Sequence, residues 1–341
     1  MKVGVIGYGY WGPNLVRNLM GVEGCTVLMV SDLRPERLTT VQKHYPSITT
    51  TRSADDVFNN NEIDAVAIAT PVMAHYPLIK KALLTGKHVL AEKPMTTSKA
   101  QASELIQIAV KNERTLMVDH TFLYTGAVRK IKKIIESGEI GDLQYYDSLR
   151  INLGLFQKDI NVLWDLAVHD ISILLHLINK KPKSVQAIGV THTCNDIENI
   201  AYLTLHYDNG FIAHCNCSWV SPVKVRTTYI GGTKKMIVYN DLEGSEKVKV
   251  YDSGYEINTD EDLRKVLVGY RTGDVFSPKI DTKEALAEMA SDFVKACTEN
   301  KEPLSNWKLA YEVVNILEAA EISIKSNGSR ITLRRDFGDE S

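Results

Sequence analysis

The sequence predicts an α/β chain of two domains, a doubly wound parallel sheet followed by an α/β domain with a mostly antiparallel sheet. Three observations predict this. Strand-like and helix-like segments alternate from residue 1 to about 122, as in a parallel sheet covered by helices on both faces. Beyond that point, several strands of mostly alternating polar and apolar residues run between a few helices, the pattern of an antiparallel sheet with one covered face. The length, 341 residues, suits about two domains that each bury a core without disulfides. The boundary is expected near residue 122, giving domains over 1–122 and 123–341.

The first strand begins at Lys2 and ends at Gly7. Gly7, Gly9 and Gly12 then stand at the G-x-G-x-x-G spacing ahead of a helix. Gly7 permits the tight turn, Gly9 has no Cβ to obstruct a phosphate, and Gly12 lets the helix lie close on the strand. Pro13 suits the first helical turn, and other first-turn N–H groups face an anion. Tyr8, Tyr10 and Trp11 share this turn and are counted with it. The second strand ends at Asp32, twenty residues past Gly12. A carboxylate there accepts both hydroxyls of an adenosine ribose and repels a 2′-phosphate. The stretch therefore reads as a Rossmann dinucleotide site that favours NAD over NADP, with Arg34 the residue able to hold the phosphate instead.

The remaining elements follow in order. A helix is expected from Pro35 to His44, an extended piece over Ser47–Thr51, and a helix start at Ser53, where a serine cap and two first-turn acids satisfy orphan N–H groups. Asp64 to Thr70 is nearly all apolar, as a strand buried on both faces should be. Helices over Ala74–Thr85 and Ser98–Asn112, the latter capped by Ser98, alternate with strands at His88–Glu92 and Thr115–Val118. A helix of period 3.6 through Val128, Ile131, Ile134 and Ile135 stops at Gly138. Strands are expected over 143–152, 184–191, 199–207, 211–220, 223–230, 236–239 and 247–251, with Asp208-Asn-Gly as a hairpin turn. Two helices, near Lys283–Glu299 and Asn306–Lys325, precede a charged tail from Arg334.

Composition narrows the function. Apolar residues make up 44% and charged residues 24% of the chain, ordinary for a soluble globular protein. The net charge of −2 gives no reason to expect a nucleic acid or an anionic membrane as partner. Five scattered cysteines read as reduced thiols. Cys215 and Cys217 share a strand face, but with no second pair at ligand spacing no metal is expected. No run approaches the ~18 apolar residues of a membrane span, and the first strand starts too early to leave room for a signal peptide. A cytoplasmic protein is expected.

Ligands bind at the carboxyl ends of parallel strands. Two such ends stand out: Thr70-Pro71 with His75 a turn later, and Glu92-Lys93-Pro94. The ammonium of Lys93 could hold a substrate hydroxyl and favour a developing alkoxide, or it could be an ordinary loop lysine. In the second domain, Asp165 and His169 are four apart, on one face of a helix. An imidazole can accept a hydroxyl proton near neutral pH, with Asp165 orienting it or binding sugar hydroxyls. The pair could equally be a helix-start acid beside a satisfied histidine. Asp170 and His176 read as structural. His120, Tyr124, Arg150, Asn152 and Asn161 are candidate substrate-pocket residues.

Together, Gly7-Tyr-Gly-Tyr-Trp-Gly-Pro-Asn, Thr70-Pro71 with His75, Glu92-Lys93-Pro94 and Asp165 with His169 resemble the glucose-fructose oxidoreductase / inositol dehydrogenase / rhizopine catabolism (Gfo/Idh/MocA) family over nearly the whole chain. The resemblance implies a Rossmann domain plus an α/β domain with a large, mostly antiparallel open sheet, and NAD(P)-dependent oxidation or reduction of a sugar or cyclitol. It also implies a homodimer or homotetramer formed through the C-terminal sheet. Lys93, Asp165 and His169 fall on the family's catalytic positions, with His169 as acid/base, while Thr70, Pro71, His75, Glu92 and Lys93 fall around the cofactor. Arg150-Ile-Asn-Leu-Gly154 followed by Asn161-Val-Leu-Trp164 looks like the branch that acts at C3 of nucleotide-linked sugars. That branch often has a small residue where Asp119 precedes His120. Inositol and free-sugar dehydrogenases, and a non-catalytic nucleotide-binding sensor, are the rival readings.

Overall fold

The computed structural model describes residues 1–154, 156–193, 196–208, 210–256 and 269–337. The chain forms two units. The first joins Met1–Thr125 to Lys283–Glu318 and to the segment from Arg335 onward; the second joins Gly126–Thr282 to Ala319–Arg334. A single crossing near residue 122 is thus too simple a description, because two C-terminal segments fold with the N-terminal one.

The first unit is built on six strands, β1 (Lys2–Ile6), β2 (Thr26–Ser31), β3 (Thr49–Thr51), β4 (Ala65–Ile68), β5 (His88–Ala91) and β6 (Leu116–Val118), in the order β3-β2-β1-β4-β5-β6. Every neighbouring pair is parallel. All four β4 residues are buried, as helices on both faces require. The helices are α1 (Gly12–Met20), α2 (Pro35–His44), α3 (Ala54–Asn59), α4 (His75–Leu84) and α5 (Lys99–Lys111). The Ser53 side chain accepts the Asp55 N–H and caps α3, whereas Ser98 occupies the cap position of α5 without a side-chain bond.

The C-terminal helix Ala285–Glu299 belongs here for a physical reason. Leu286, Met289, Ala290, Phe293 and Val294 recur at helical spacing on one face, and they join Leu15, Val16 and Leu19 of α1 in one core. Arg17 and Glu284 lie beside that seam as a two-point ion pair. Tyr124 is fastened into the same core, donating to Asp292 at 2.7 Å and accepting from the Ser305 N–H at 3.2 Å.

The second unit starts with α6 (Gly126–Glu136), and among the described residues its main sheet has nine strands: β7 (Leu143–Leu153), β8 (Ser184–Val190), β9 (Ile200–His206), β10 (Ile212–Ser218), β11 (Val220–Gly232), β12 (Met236–Asn240), β13 (Val248–Tyr251), Val275–Phe276 and Ile331–Thr332. From β13 inward the order is β13-β12-β11-β7-β10-β9-β8, with the two short strands at the edges. Only the central β7–β10 pair is parallel, so the expected mostly antiparallel open sheet is present. The hairpin expected at Asp208-Asn-Gly joins β9 to β10, which pair antiparallel; its central residue, Asn209, lies outside the described residues. Helix α7 (Val168–Leu177) follows a π-helical turn at Leu163–Ala167, where an ordinary helix is expected from the sequence. Among the described residues no helix is long and apolar enough to cross a membrane.

Candidate active site

In the first unit, the predicted residues lie just past the carboxyl ends of adjacent parallel strands. Across the sheet they run from Asp32 and Arg34 after β2, through Gly7 to Gly12 after β1 and Thr70 after β4, to Lys93 after β5 and His120 after β6. From β2 to β5 is three strand spacings, roughly 15 Å, a distance that an extended dinucleotide crosses. The strand order reverses between β1 and β4, where such sheets open a crevice.

The glycine turn shows why glycines stand there. Gly7 has φ of +95°, and a Cβ on it would meet the Ala69 carbonyl oxygen at 2.4 Å. A Cβ on Gly12 would come 2.3 Å from the Gly7 oxygen, so α1 lies directly on the turn. At Gly9 an added Cβ has no neighbour closer than the Arg34 guanidinium at 3.5 Å. The backbone there is open to a ligand. Helix α1 begins without a side-chain cap and without a first-turn acid, which leaves its N-terminal dipole end for an anion. Tyr10 and Trp11 are exposed and stack edge to face at 5.3 Å, while Tyr8 is buried and contributes its backbone N–H.

Asp32 is held where the ribose would come. Its Oδ2 accepts the Tyr8 N–H at 2.7 Å, and its Oδ1 accepts the Arg34 N–H at 2.9 Å and the Arg34 Nε at 3.2 Å. Burial works against ionisation, but Arg34 and these backbone donors outweigh it and keep the carboxyl below its usual range. Arg34 is therefore occupied with Asp32, which supports the preference for NAD. The turn, the uncapped helix and the aligned carboxylate fit a dinucleotide.

His75 does something other than the cofactor contact expected of it. It is buried, with Nδ1 2.8 Å from the Pro94 carbonyl and Nε2 2.9 Å from the Thr70 carbonyl. It ties the Thr70-Pro71 loop to the Lys93-Pro94 loop and so positions both. Within the run from Ala91 to Thr96, Lys93 is the one residue that is not buried. Its neighbours anchor the loop, and Lys93 itself is half-buried. His120 is 1% exposed, and both ring nitrogens are buried without a hydrogen-bond partner. Burial, reinforced by the Lys93 charge, pushes its imidazole down to about 3, so the ring is neutral.

In the second unit, Asp165 and His169 are the two residues from Asn161 to Leu174 that are not buried. A stretch otherwise sunk in the core opens only there. Asp165 sits on the π turn, a feature that recurs at functional sites. Its Oδ2 accepts the indole N–H of Trp219 at 3.0 Å. Trp219 is 1% exposed and was not anticipated from the sequence, where it looks like a core residue. Gly154 makes room for it, since a Cβ there would lie 2.8 Å from the indole.

Three candidate substrate residues have other work. Arg150, 3% exposed, makes a two-point pair with Asp170 at 2.8 and 2.9 Å and fixes α7 on the sheet. Asn161 caps the π turn, its Oδ1 accepting the Leu163 and Trp164 N–H groups, while its amide donates to Glu198 at 3.1 Å. Tyr124 is the core tether described above. Asn152 is half-buried on β7. Among the described residues no cluster could hold a metal ion.

Comparison with known proteins gives two family matches. The model described as "Oxidoreductase family, NAD-binding Rossmann fold" (GFO_IDH_MocA) matches residues 1–120, and that of the GFO/IDH/MocA C-terminal domain matches residues 128–238. UDP-N-acetylglucosamine 3-dehydrogenase of Acidithiobacillus ferrooxidans is 28% identical over 64% of this chain and 67% of its own length. The scyllo-inositol 2-dehydrogenase (NADP+) IolW of Bacillus subtilis is 27% identical over 62% of this chain and 60% of its own. The chain spans between about two fifths and two thirds of the length of the first curated relatives it matches. In fold, it superposes on the solved UDP-N-acetylglucosamine 3-dehydrogenase GnnA of A. ferrooxidans with a TM-score of 0.80, at 22% identity, over 96% of this chain and 98% of that one. With its glycine turn, its aligned Asp32 and both family matches, the chain belongs to the Gfo/Idh/MocA oxidoreductase family with the NAD-binding Rossmann fold.

Proposed function

We propose that the chain is an NAD-dependent dehydrogenase or reductase acting on a secondary carbinol of a sugar, at C3 of a nucleotide-linked hexose. The observation that carries this reading is the selective opening of the chain at Lys93, Asp165 and His169, each flanked by buried neighbours. The family match, and the named activity of the UDP-N-acetylglucosamine relative, support the substrate class.

Bound nicotinamide supplies the hydride acceptor or donor. In this reading His169 takes the hydroxyl proton during oxidation and returns it during reduction. Lys93 holds the substrate oxygen and stabilises negative charge as it develops. Asp165, oriented by Trp219, positions the imidazole or the ring hydroxyls. A neutral His120 offers one donor and one acceptor at the β6 end. The protein is proposed to act in the cytoplasm as a homodimer or homotetramer assembled through the second unit's sheet.

The test is a panel of UDP-N-acetylglucosamine, other nucleotide sugars, free hexoses and inositols, each offered with NAD or NADP, with reduced-nicotinamide absorbance recorded. Turnover confined to nucleotide sugars supports the proposal. Turnover of inositols alone replaces the substrate, as the resemblance to IolW would have it. Nucleotide binding with no turnover across the panel and its reduced counterparts favours a sensor.

Trp219→Phe keeps the ring and removes its donor. It is expected to lower kcat roughly tenfold, the effect of one orienting bond to a charged group, while the unfolding midpoint moves little. Unchanged kcat would show that Asp165 does not depend on the indole.

A further inference from the structure

Two acids stand side by side at the ends of β5 and β6. Ala91 pairs with Val118 in the last rung of the parallel ladder, and the Asp119 N–H donates to the Ala91 carbonyl at 2.8 Å. Glu92 and Asp119 thus follow on adjacent strands. Both are buried, at 6% and 5% exposed, and each acts on the ionisation of the other.

Two ionised carboxylates at adjacent buried strand ends would repel each other with little water to screen them, so the arrangement favours one proton on the pair. The surrounding donors decide where it resides. Thr121 gives Asp119 Oδ1 both its backbone N–H, at 3.0 Å, and its hydroxyl. Glu92 receives only the Lys93 backbone N–H, and its Oε1 is buried without a partner. Donors to a carboxylate favour its charged form, so the negative charge belongs on Asp119 and the proton on Glu92.

We propose that Glu92 and Asp119 hold one proton between them, on Glu92, and act as positioning residues for Lys93 by presenting a single negative charge to its ammonium. The inference rests on the reading of Lys93 as the group that polarises the substrate oxygen. Two charges in so buried a place would be costly, whereas one carboxylate charge favours the ammonium beside it. Burial raises both acids, and Glu92 is raised further by Asp119; Lys93 acts on both in the opposite sense. Lys93 and Thr121 act on the pair, and the Tyr124 hydroxyl, which donates to Asp292, is influenced by Asp119.

Infrared spectroscopy of the purified protein near neutral pH, without cofactor or sugar, tests the pair directly. At Glu92 and Asp119 burial prevails over the groups that favour charge, whereas at Asp32 it does not. A protonated-carboxyl C=O stretch that shifts in D2O is expected in the wild type and absent from Glu92→Gln. No band in the wild type, or a band that survives the substitution, overturns the proposal. Should Glu92→Gln fail to fold, wild-type protein with 13C-labelled glutamate carboxyls gives the same answer: one resonance stays at the protonated position, and its absence counts against the pair. In turnover, the double variant Glu92→Gln/Asp119→Asn removes the charge and is expected to lower kcat on the order of 10²-fold, with a much smaller change in KM. A change confined to KM refutes the positioning role. The spectroscopic arms need no substrate, so they can fail while the sugar assignment stands, and hold while it falls.

Discussion

Lys93→Ala is expected to lower turnover on the order of 10²–10³-fold while NAD binding stays within a few-fold, the pattern for a group that matters most in the transition state. Isothermal titration with NAD and steady-state kinetics on the substrate found by the panel would separate the two quantities. The expectation rests on how the loop is built. Glu92, Pro94, Met95 and Thr96 are all buried, and His75 ties the loop to its neighbour through the Pro94 carbonyl. Truncating the one side chain of this run that is not buried removes an ammonium and leaves the packed neighbours in place. Dinucleotide contacts along the glycine turn and Asp32 lie two and three strands away in the same sheet. If the variant kept turnover within a few-fold of wild type, Lys93 would be a solvated loop residue and the proposed chemistry would lose its polarising group.

Asp170→Ala is expected to destabilise the second unit by about 3–5 kcal/mol, because it strands a buried guanidinium. The Arg150 and Asp170 side chains are 4% and 3% exposed. Burial alone would favour loss of the arginine's charge, but Asp170 more than offsets this and holds the guanidinium protonated. Chemical denaturation followed by circular dichroism reads the loss. Replacing both partners, Arg150→Met with Asp170→Leu, is expected to cost much less, since no unpaired charge is then left behind. Equal losses in the single and double variants would mean that packing, not charge pairing, accounts for the effect. Asp170 directly follows His169 on α7, so the single variant also loosens the helix that presents the imidazole, and turnover should fall with stability.

The parallel sheet was legible because its signals are local. A strand with both faces buried reads as an apolar run, as Ala65–Ile68 does, and the glycine spacing states its own turn chemistry. Asp32 was legible for the same reason, its place being set by distance along the chain from the turn. Less legible were residues whose roles depend on distant partners. Arg150 on a strand and Asn161 in a loop look like ligands for a sugar until Asp170 and the π turn claim them. Trp219 looks like core until its indole N–H is found on Asp165. His75 was placed near the cofactor by its position after β4, but two carbonyls from separate loops hold it instead. The helix Ala285–Glu299 was found, yet not its allegiance, because nothing in its own amphipathic pattern says which apolar face it will cover.

That allegiance has a consequence for how the protein comes into being. Leu15 and Leu19 of α1 acquire their cover from Met289, Ala290 and Phe293, which leave the ribosome only after residues 126–282 of the second unit. Until then the nascent dinucleotide lobe has an uncovered greasy flank, and a gene fragment ending at residue 122 would encode the same unfinished surface. Maturation of this lobe is therefore tied to synthesis of the helix Ala285–Glu299 and does not proceed in order from the amino terminus.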